Sequence, residues 1–344
     1  MRVLGKTGLQ INEIGFGGIP IQRIDGHGVI GIIDEMEARG INFIDTARGY
    51  TVSEEYLGKA LIDRRDKFII ATKSMSRDYE GMKRDIDISL KLLKTDYIDL
   101  YQCHNVNEKD DITGALKALK EARDERKIGH IGITSHSYDY LMSIIDNTEF
   151  ETIMFPYNII EVKAEDLFKK AKQNNIGVIV MKPLAGGAID NGQIALKFIL
   201  NNPNISVVIP GMGTIEEVKI NSMATAGQFT AEEINYIEKL RDELNGDFCR
   251  RCQYCLPCSV GIDIPSSFLI EGYYTRYNLR GWAVQRYNNM KVKPDACIEC
   301  GICETKCPYN LKIINKLKKV TCFMDYYNNS INTNYYNSKS IWVT

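Results

Sequence analysis

Between residues 13 and 210 one pattern recurs along the chain: a short apolar run, a stretch of helical periodicity, then another apolar run. The runs are EIGFGG (13–18), NFIDTA (42–47), KFIIATK (67–73), YIDLYQCH (97–104), HIGITS (130–135), TIMFPYN (152–158), GVIVMKP (177–183) and SVVIP (206–210). Near-continuous hydrophobicity marks strands buried on both faces, as in a parallel sheet covered by helices. In the intervening segment DITGALKALKEARDERK, residues Ile112, Ala115, Leu116, Leu119 and Ala122 share one helical face. Strand and helix alternating eight times over roughly 230 residues predict an α/β fold, a closed (β/α)8 TIM barrel, because length and strand count both match. An open doubly wound sheet is the alternative, but GFGGIP after the first strand is a poor dinucleotide fingerprint.

The chain has 344 residues, long enough for one large domain and a small one. Lysine plus arginine (43) nearly balance aspartate plus glutamate (44), so the totals imply no basic face for nucleic acid. No apolar run reaches the ~18 residues that a membrane span needs. A reducing, cytoplasmic setting is expected, where clustered cysteines bind metal more often than they form disulfides. Eight of the ten cysteines fall in two short runs after the barrel pattern ends. The expected organisation is a barrel over 1–245, a small cysteine-rich domain over 246–320 and a poorly ordered tail over 321–344, rich in Asn and Tyr.

In a barrel of this kind working groups stand at the carboxyl ends of strands. Asp45 ends the second strand, Lys73 the third and His104 the fourth, and Tyr50 follows Asp45 in the loop. A single aspartate before a loop is commonly a cap, and a lone strand-end histidine is commonly structural; four titratable groups at one mouth point to chemistry. A phenol whose pKa falls from about 10 towards neutrality can protonate a developing alkoxide. A neighbouring ammonium favours that fall. In this reading Lys73 acts on Tyr50, Asp45 orients Lys73, and His104 donates a hydrogen bond to the substrate oxygen.

The stretches GKTGLQINEIGFGG, FIDTARGYTVSEEYLGKAL, IIATK and YIDLYQCHN resemble the aldo-keto reductase family, and the likeness covers about residues 1–245. The family's Asp, Tyr, Lys and His tetrad falls on Asp45, Tyr50, Lys73 and His104. The resemblance implies an eight-stranded barrel and hydride transfer from NADPH to an aldehyde or ketone. Its cofactor positions depart from the family. Ser135 and His136 stand where Ser-Asn faces the nicotinamide carboxamide, Met154 replaces a glutamine, and Met181 replaces the tyrosine that stacks on the nicotinamide ring. Pro210, Gly211, Met212 and Gly213, followed by Glu217 and Asn221, occupy the stretch where the family grips the nucleotide phosphates, with Glu217 in place of an arginine for the 2′-phosphate. Thr214 and Glu217 also spell a T-x-x-E capping box. A helix N-terminus and the glycines of PGMG can cradle a phosphate through backbone amides. NADP, NAD and a flavin phosphate all stay open as cofactors.

Cys297, Cys300, Cys303 and Cys307 follow C-x2-C-x2-C-x3-C, with Pro308 next, the ferredoxin spacing for a [4Fe–4S] cluster. Cys249, Cys252, Cys255 and Cys258 form a similar run with one residue fewer before the last cysteine. In two-cluster ferredoxins the fourth cysteine of each run serves the other cube. That reciprocity would group Cys249, Cys252, Cys255 and Cys307 on one cluster, and Cys297, Cys300, Cys303 and Cys258 on the other. Two zinc sites are the alternative, although zinc motifs use paired C-x2-C separated by a spacer. VMKPLAGG and VIPGM, with the cysteine runs, resemble the subset of aldo-keto reductase-like proteins that carry a C-terminal dicluster ferredoxin module.

Cys103 is expected to be a buried strand residue, and Cys322 has no evident partner. Phe268, Tyr273, Tyr274, Tyr277 and Trp282, between the cysteine runs, read as helical packing residues or cover for the clusters. Three functional readings remain. The first is a nicotinamide-dependent reductase of a small carbonyl substrate with passive clusters. The second uses the clusters as a one-electron relay, fed by ferredoxin or another electron-transfer partner and assisted by flavin. The third is a non-catalytic carrier or binding protein.

Overall fold

A computed structural model describes residues 1–245, 249, 254–275, 279–307 and 309–324. They divide into two compact units, Met1–Ile237 and Glu238–Thr344.

The first unit opens with a hairpin that the apolar-run pattern did not reveal: β1 (Arg2–Val3) pairs antiparallel with β2 (Gln10–Ile11). Eight parallel strands follow: β3 (Phe16–Gly17), β4 (Phe43–Asp45), β5 (Ile69–Ser74), β6 (Ile98–Cys103), β7 (Ile128–Thr134), β8 (Thr152–Pro156), β9 (Gly177–Met181) and β10 (Val207–Val208). Each pairs with its sequence neighbour. Parallel bridges Ile14–Val208 and Gly17–Gly211, with the Gly15 amide on the Val208 carbonyl at 2.8 Å, join the two edges and close the barrel. The expected barrel is therefore borne out, each of its eight strands lying within or overlapping one of the apolar runs.

Helices α1 (Gly26–Ala38), α2 (Ser53–Ala60), α3 (Tyr79–Leu93), α4 (Thr113–Asp124), α5 (Tyr138–Ile144), α6 (Glu165–Gln173), α7 (Gly192–Leu200), α8 (Ile215–Ser222) and α9 (Ala231–Asn245) complete the barrel pattern, and the division between the units falls within α9. The larger core lies between strands and helices; α4 contributes Ala115, Ala118, Leu119 and Ala122 to it. A second core fills the barrel interior, where Phe43, Ala71, Leu100, Met154, Ile179 and Val207 meet Leu4 and Ile11 from the hairpin. The hairpin thus stoppers the end of the barrel opposite the strand carboxyl termini. Its turn needs Gly5: φ is +55°, and a Cβ there would lie 2.2 Å from the Gly177 nitrogen.

In the second unit α10 (Ile264–Thr275), α11 (Arg280–Asn288), the short α12 (Ile302–Thr305) and a helix α13 (313–324) enclose a small core of Ile262, Ile264, Phe268, Ile270, Leu311, Ile313 and Leu317, to which Cys255, Cys303 and Cys307 belong. Phe268 is in that core, Tyr273 and Tyr274 pack against it, and Tyr273 meets Trp282 with ring centroids 4.5 Å apart. Residues 321–324 finish α13 instead of starting a tail, because Val320 and Met324 are buried on its inner face. Tyr277 and the remaining tail, 325–344, lie outside the described residues. No helix is long and apolar enough to cross a membrane among the described residues.

Candidate active site and cluster-binding cysteines

The carboxyl ends of β4, β5 and β6 bring the four titratable residues together. Asp45 is the last residue of β4 and Lys73 the fifth of β5, both buried. Lys73 Nζ donates to Asp45 Oδ2 at 2.7 Å and to the Thr46 carbonyl at 2.6 Å. Its ammonium also lies 4.8 Å from the Tyr50 ring centroid, and the Tyr50 and His104 rings meet edge to face at 6.1 Å. Two buried charges thus underlie two half-exposed rings. Burial pushes the Lys73 ammonium down, and the Asp45 carboxylate opposes that shift; burial likewise pushes the Asp45 carboxyl up against the pull of Lys73. The pair stays ionised only while both partners are present.

Local bonds place the rings. The Arg48 amide donates to the Lys73 carbonyl at 3.0 Å, and the turn carrying Tyr50 is tied by Tyr50 N to Ala47 O (3.0 Å) and Ser53 N to Tyr50 O (2.8 Å). Arg48 pairs with Glu54, which is buried and also accepts from Thr72 (2.7 Å) and Ser89 (2.8 Å). His104 follows β6, and Arg77 donates to its carbonyl at 2.9 Å and to the Asn105 carbonyl at 3.0 Å. Positive φ occurs at Thr51 (41°), Asn105 (54°) and Lys182 (59°), all at the barrel mouth. Non-glycine residues adopt this region at a cost and tend to collect at functional sites. Sequence reasoning missed Glu54, Arg77, Asn105 and Lys182. The strand-end rule could have found Lys182, which follows β9, and Asn105, which adjoins His104.

The remaining cofactor candidates fall into three groups. Ser135 is buried, and its hydroxyl donates to the Val106 carbonyl at 2.6 Å and accepts from the Ser137 amide at 2.9 Å. His136 lies between Asn105 and Lys182, and Met181 is half-buried at the end of β9. Beyond β10, the Pro210 carbonyl accepts from Gly17 N at 2.9 Å, Gly211 bridges Gly17, and Met212 and Asn221 are buried. Glu217 completes the capping box: Oε2 accepts from Gly213 N at 2.6 Å and Thr214 N at 3.2 Å, while Glu217 N donates to Thr214 Oγ at 3.1 Å. The carboxylate therefore occupies the last amide of the PGMG turn and the Thr214 amide after it, both of which could otherwise be offered to a phosphate.

In the second unit one cavity is lined by Cys258, Cys297, Cys300 and Cys303, with Pro257, Val260, Ile264 and Leu317 as its apolar walls. The Ser259 hydroxyl lies 3.4 Å from Cys300 Sγ, and that contact with the Ile302 amide holds the Cys300 thiol below its ordinary value, whereas burial pushes Cys303 up. Among the described residues no three His, Cys, Asp or Glu side chains close around a single-ion position. A cube binds one thiolate at each iron, so four cysteines on the wall of an apolar cavity fit a [4Fe–4S] group. Cys255 and Cys307 are buried in the same core, with Cys249 packed on it; Cys252 and Pro308 lie outside the described residues. Cys103 is fully buried in β6, and Cys322 is exposed on α13.

The aldo/keto reductase family model matches residues 13–193, more than half of the chain. The chain belongs to the aldo/keto reductase family. A 4Fe-4S dicluster domain model matches residues 248–312 of this aldo/keto reductase. Its relatives include the uncharacterized oxidoreductase YqkF of Bacillus subtilis, 27% identical over 69% of this chain and 95% of that protein. L-galactose dehydrogenase of Arabidopsis thaliana is 29% identical over 65% of this chain and 87% of its own. Among solved structures, the holo form of aldo-keto reductase AKR11C1 from Bacillus halodurans superposes with a TM-score of 0.63 at 29% identity, covering 70% of this chain and 95% of that one. The chain is thus an oxidoreductase of this family with a 4Fe-4S domain.

Proposed function

We propose that this aldo/keto reductase reduces the carbonyl group of a small molecule, with Asp45, Tyr50, Lys73 and His104 as its catalytic residues and NADH as its hydride donor. What carries the reading is the Lys73 ammonium, held between Asp45 and the Tyr50 ring. The four side chains supply protons and charge but no electrons, so the donor set fits a two-electron carrier bound at the same mouth.

The bound nicotinamide supplies the hydride. Tyr50 gives its proton to the carbonyl oxygen as charge builds there, and His104 donates a hydrogen bond to that oxygen. Lys73 stabilises the negative charge left on the phenol oxygen, and Asp45 keeps Lys73 charged and in place. Met181 and His136 would meet the nicotinamide, and the Pro210–Gly213 stretch the nucleotide. Glu217 disfavours a 2′-phosphate twice, by its charge and by the two amides it already holds.

The test is anaerobic turnover of an aldehyde with NADH by the full chain and its Tyr50→Phe variant, with iron content measured on both. Loss of about 10²–10⁴-fold in the variant at equal iron content is expected for removal of a general acid. Equal rates would end the assignment of Tyr50.

The cysteine cavity favours a second reading, in which Cys258, Cys297, Cys300 and Cys303 hold a cluster that passes single electrons from a ferredoxin-like partner. Anaerobic turnover supported by reduced ferredoxin, in the full chain and in Cys300→Ala, separates the two. Turnover that is lost in the variant fits a relay, and turnover that the variant retains counts against one.

A further inference from the structure

Three polar side chains at the barrel mouth stand outside the tetrad and form a chain of their own. Lys182 Nζ lies 2.7 Å from His136 Nε2, and His136 Nδ1 lies 2.7 Å from Asn105 Oδ1. An ammonium has only hydrogens to offer, so Nε2 is the acceptor; Nδ1 then carries the ring proton and donates to the Asn105 oxygen. The three residues follow β6, β7 and β9, so the chain spans a wide arc of the mouth.

Both ends are held. Asn158 Nδ2 donates to the Lys182 carbonyl at 3.1 Å, and Arg77 holds the Asn105 carbonyl at 3.0 Å. Lys182 and Asn105 both sit at positive φ, a cost that surrounding bonds must sustain. The result is a half-buried cation in a fixed position. Most other partly or fully buried lysines in this unit, among them Lys73, Lys83, Lys127 and Lys197, have a carboxylate partner; Lys219, on α8, is the exception. Among the described residues the Lys182 side chain bonds only to His136 and forms no ion pair.

A cation fixed without a counter-charge at an opening is a recognition group for an anion, because the protein has already met the cost of ordering it and the ligand brings the missing charge. We infer that Lys182, positioned by His136 and Asn105, binds an oxyanion, a carboxylate or phosphate, beside the tetrad. This inference rests on the mouth being the ligand site of the barrel. If the substrate carries the anion, it would reach across the same mouth from the tetrad to Lys182, and the diphosphate of the nucleotide is the other source of the same chemistry.

The experiment is calorimetric titration of the full, cluster-loaded chain with benzoate and with inorganic pyrophosphate, for the wild type and Lys182→Met. Wild-type binding of at least one probe, weakened about tenfold or more in the variant, is expected for loss of a charge-assisted hydrogen bond. Weakening confined to benzoate assigns the anion to the substrate; weakening of pyrophosphate together with NADH assigns it to the nucleotide. Binding of neither probe to the wild type, or equal binding to the variant, overturns the inference. Kinetics give a second readout. In the substrate case the ratio of kcat/KM for 4-carboxybenzaldehyde over 4-nitrobenzaldehyde falls about tenfold in Lys182→Met, and Lys182→Arg restores most of it. Reduction of neither aldehyde would count against the carbonyl-reductase reading while leaving the calorimetry to decide this one. Should Lys182→Met lose its fold, His136→Gln, which cuts the tether and keeps the charge, should weaken the same probe; unweakened binding would overturn the positioning role.

Discussion

A lysine exposed to only 1% of its surface is tolerated because Asp45 lies 2.7 Å from its ammonium. Lys73→Met strands the Asp45 carboxylate, and breaking a buried pair in this way costs about 3–5 kcal/mol. The double variant Asp45→Asn, Lys73→Met should cost less than either single change, which urea unfolding of the three proteins will check. Cys103 gives a pH signature of the fold: burial pushes its thiol up from 9.0 to about 12. The folded form holds that proton where the unfolded chain has lost it, so the contribution is full below about pH 9 and declines as pH rises towards 12. Cys103→Ala should flatten this decline in circular dichroism followed against pH. The tetrad positions were legible because each residue ends or closely follows an apolar run. Lys182, His136 and Asn105 were not legible as a group, since bonds between side chains from three different strands leave no local spacing; at the end of β9 the resemblance draws the eye to Met181, one residue early.

Elements show the same contrast between local and distant causes. The eight barrel strands could be read from burial on both faces, but β1 and β2, two residues each, are too short for any periodicity, and what holds them is Leu4 and Ile11 inserted into the barrel. Gly5→Ala should therefore displace the hairpin and lower the melting temperature, because the new Cβ has no room at 2.2 Å from the Gly177 nitrogen. The capping box of α8 was readable as T-x-x-E, whereas its grip on the Gly213 amide was not, since that bond depends on the turn before the helix. Glu217→Ala should free the Gly213 and Thr214 amides at a cost of about 1 kcal/mol to the helix start. The ratio of NADPH to NADH dissociation constants should then fall about tenfold, as expected for a charged partner no longer opposed, measured by nicotinamide fluorescence. An unmoved ratio would detach Glu217 from cofactor choice.

At the scale of the whole molecule the chain couples a fold suited to two-electron hydride chemistry with a domain suited to single electrons. The cysteine spacing made the second domain legible, and the cavity shared by Cys258 with Cys297, Cys300 and Cys303 supports reciprocal ligation between the two runs. Cys258→Ala and Cys300→Ala should therefore remove the same cluster, and Cys255→Ala the other, as seen by iron content and paramagnetic resonance of each variant. Loss of different clusters from the first two would refute the exchange. NADH-dependent aldehyde reduction surviving in Cys300→Ala would mark that cluster as passive, and its loss would mark a relay. The hairpin stopper carries a kinetic corollary. A barrel whose interior is packed and whose far end is covered leaves only the carboxyl-end mouth open to ligands. On the proposed function two ligands would then have to share one pocket, and product-inhibition patterns should show an ordered sequence of binding instead of a random one.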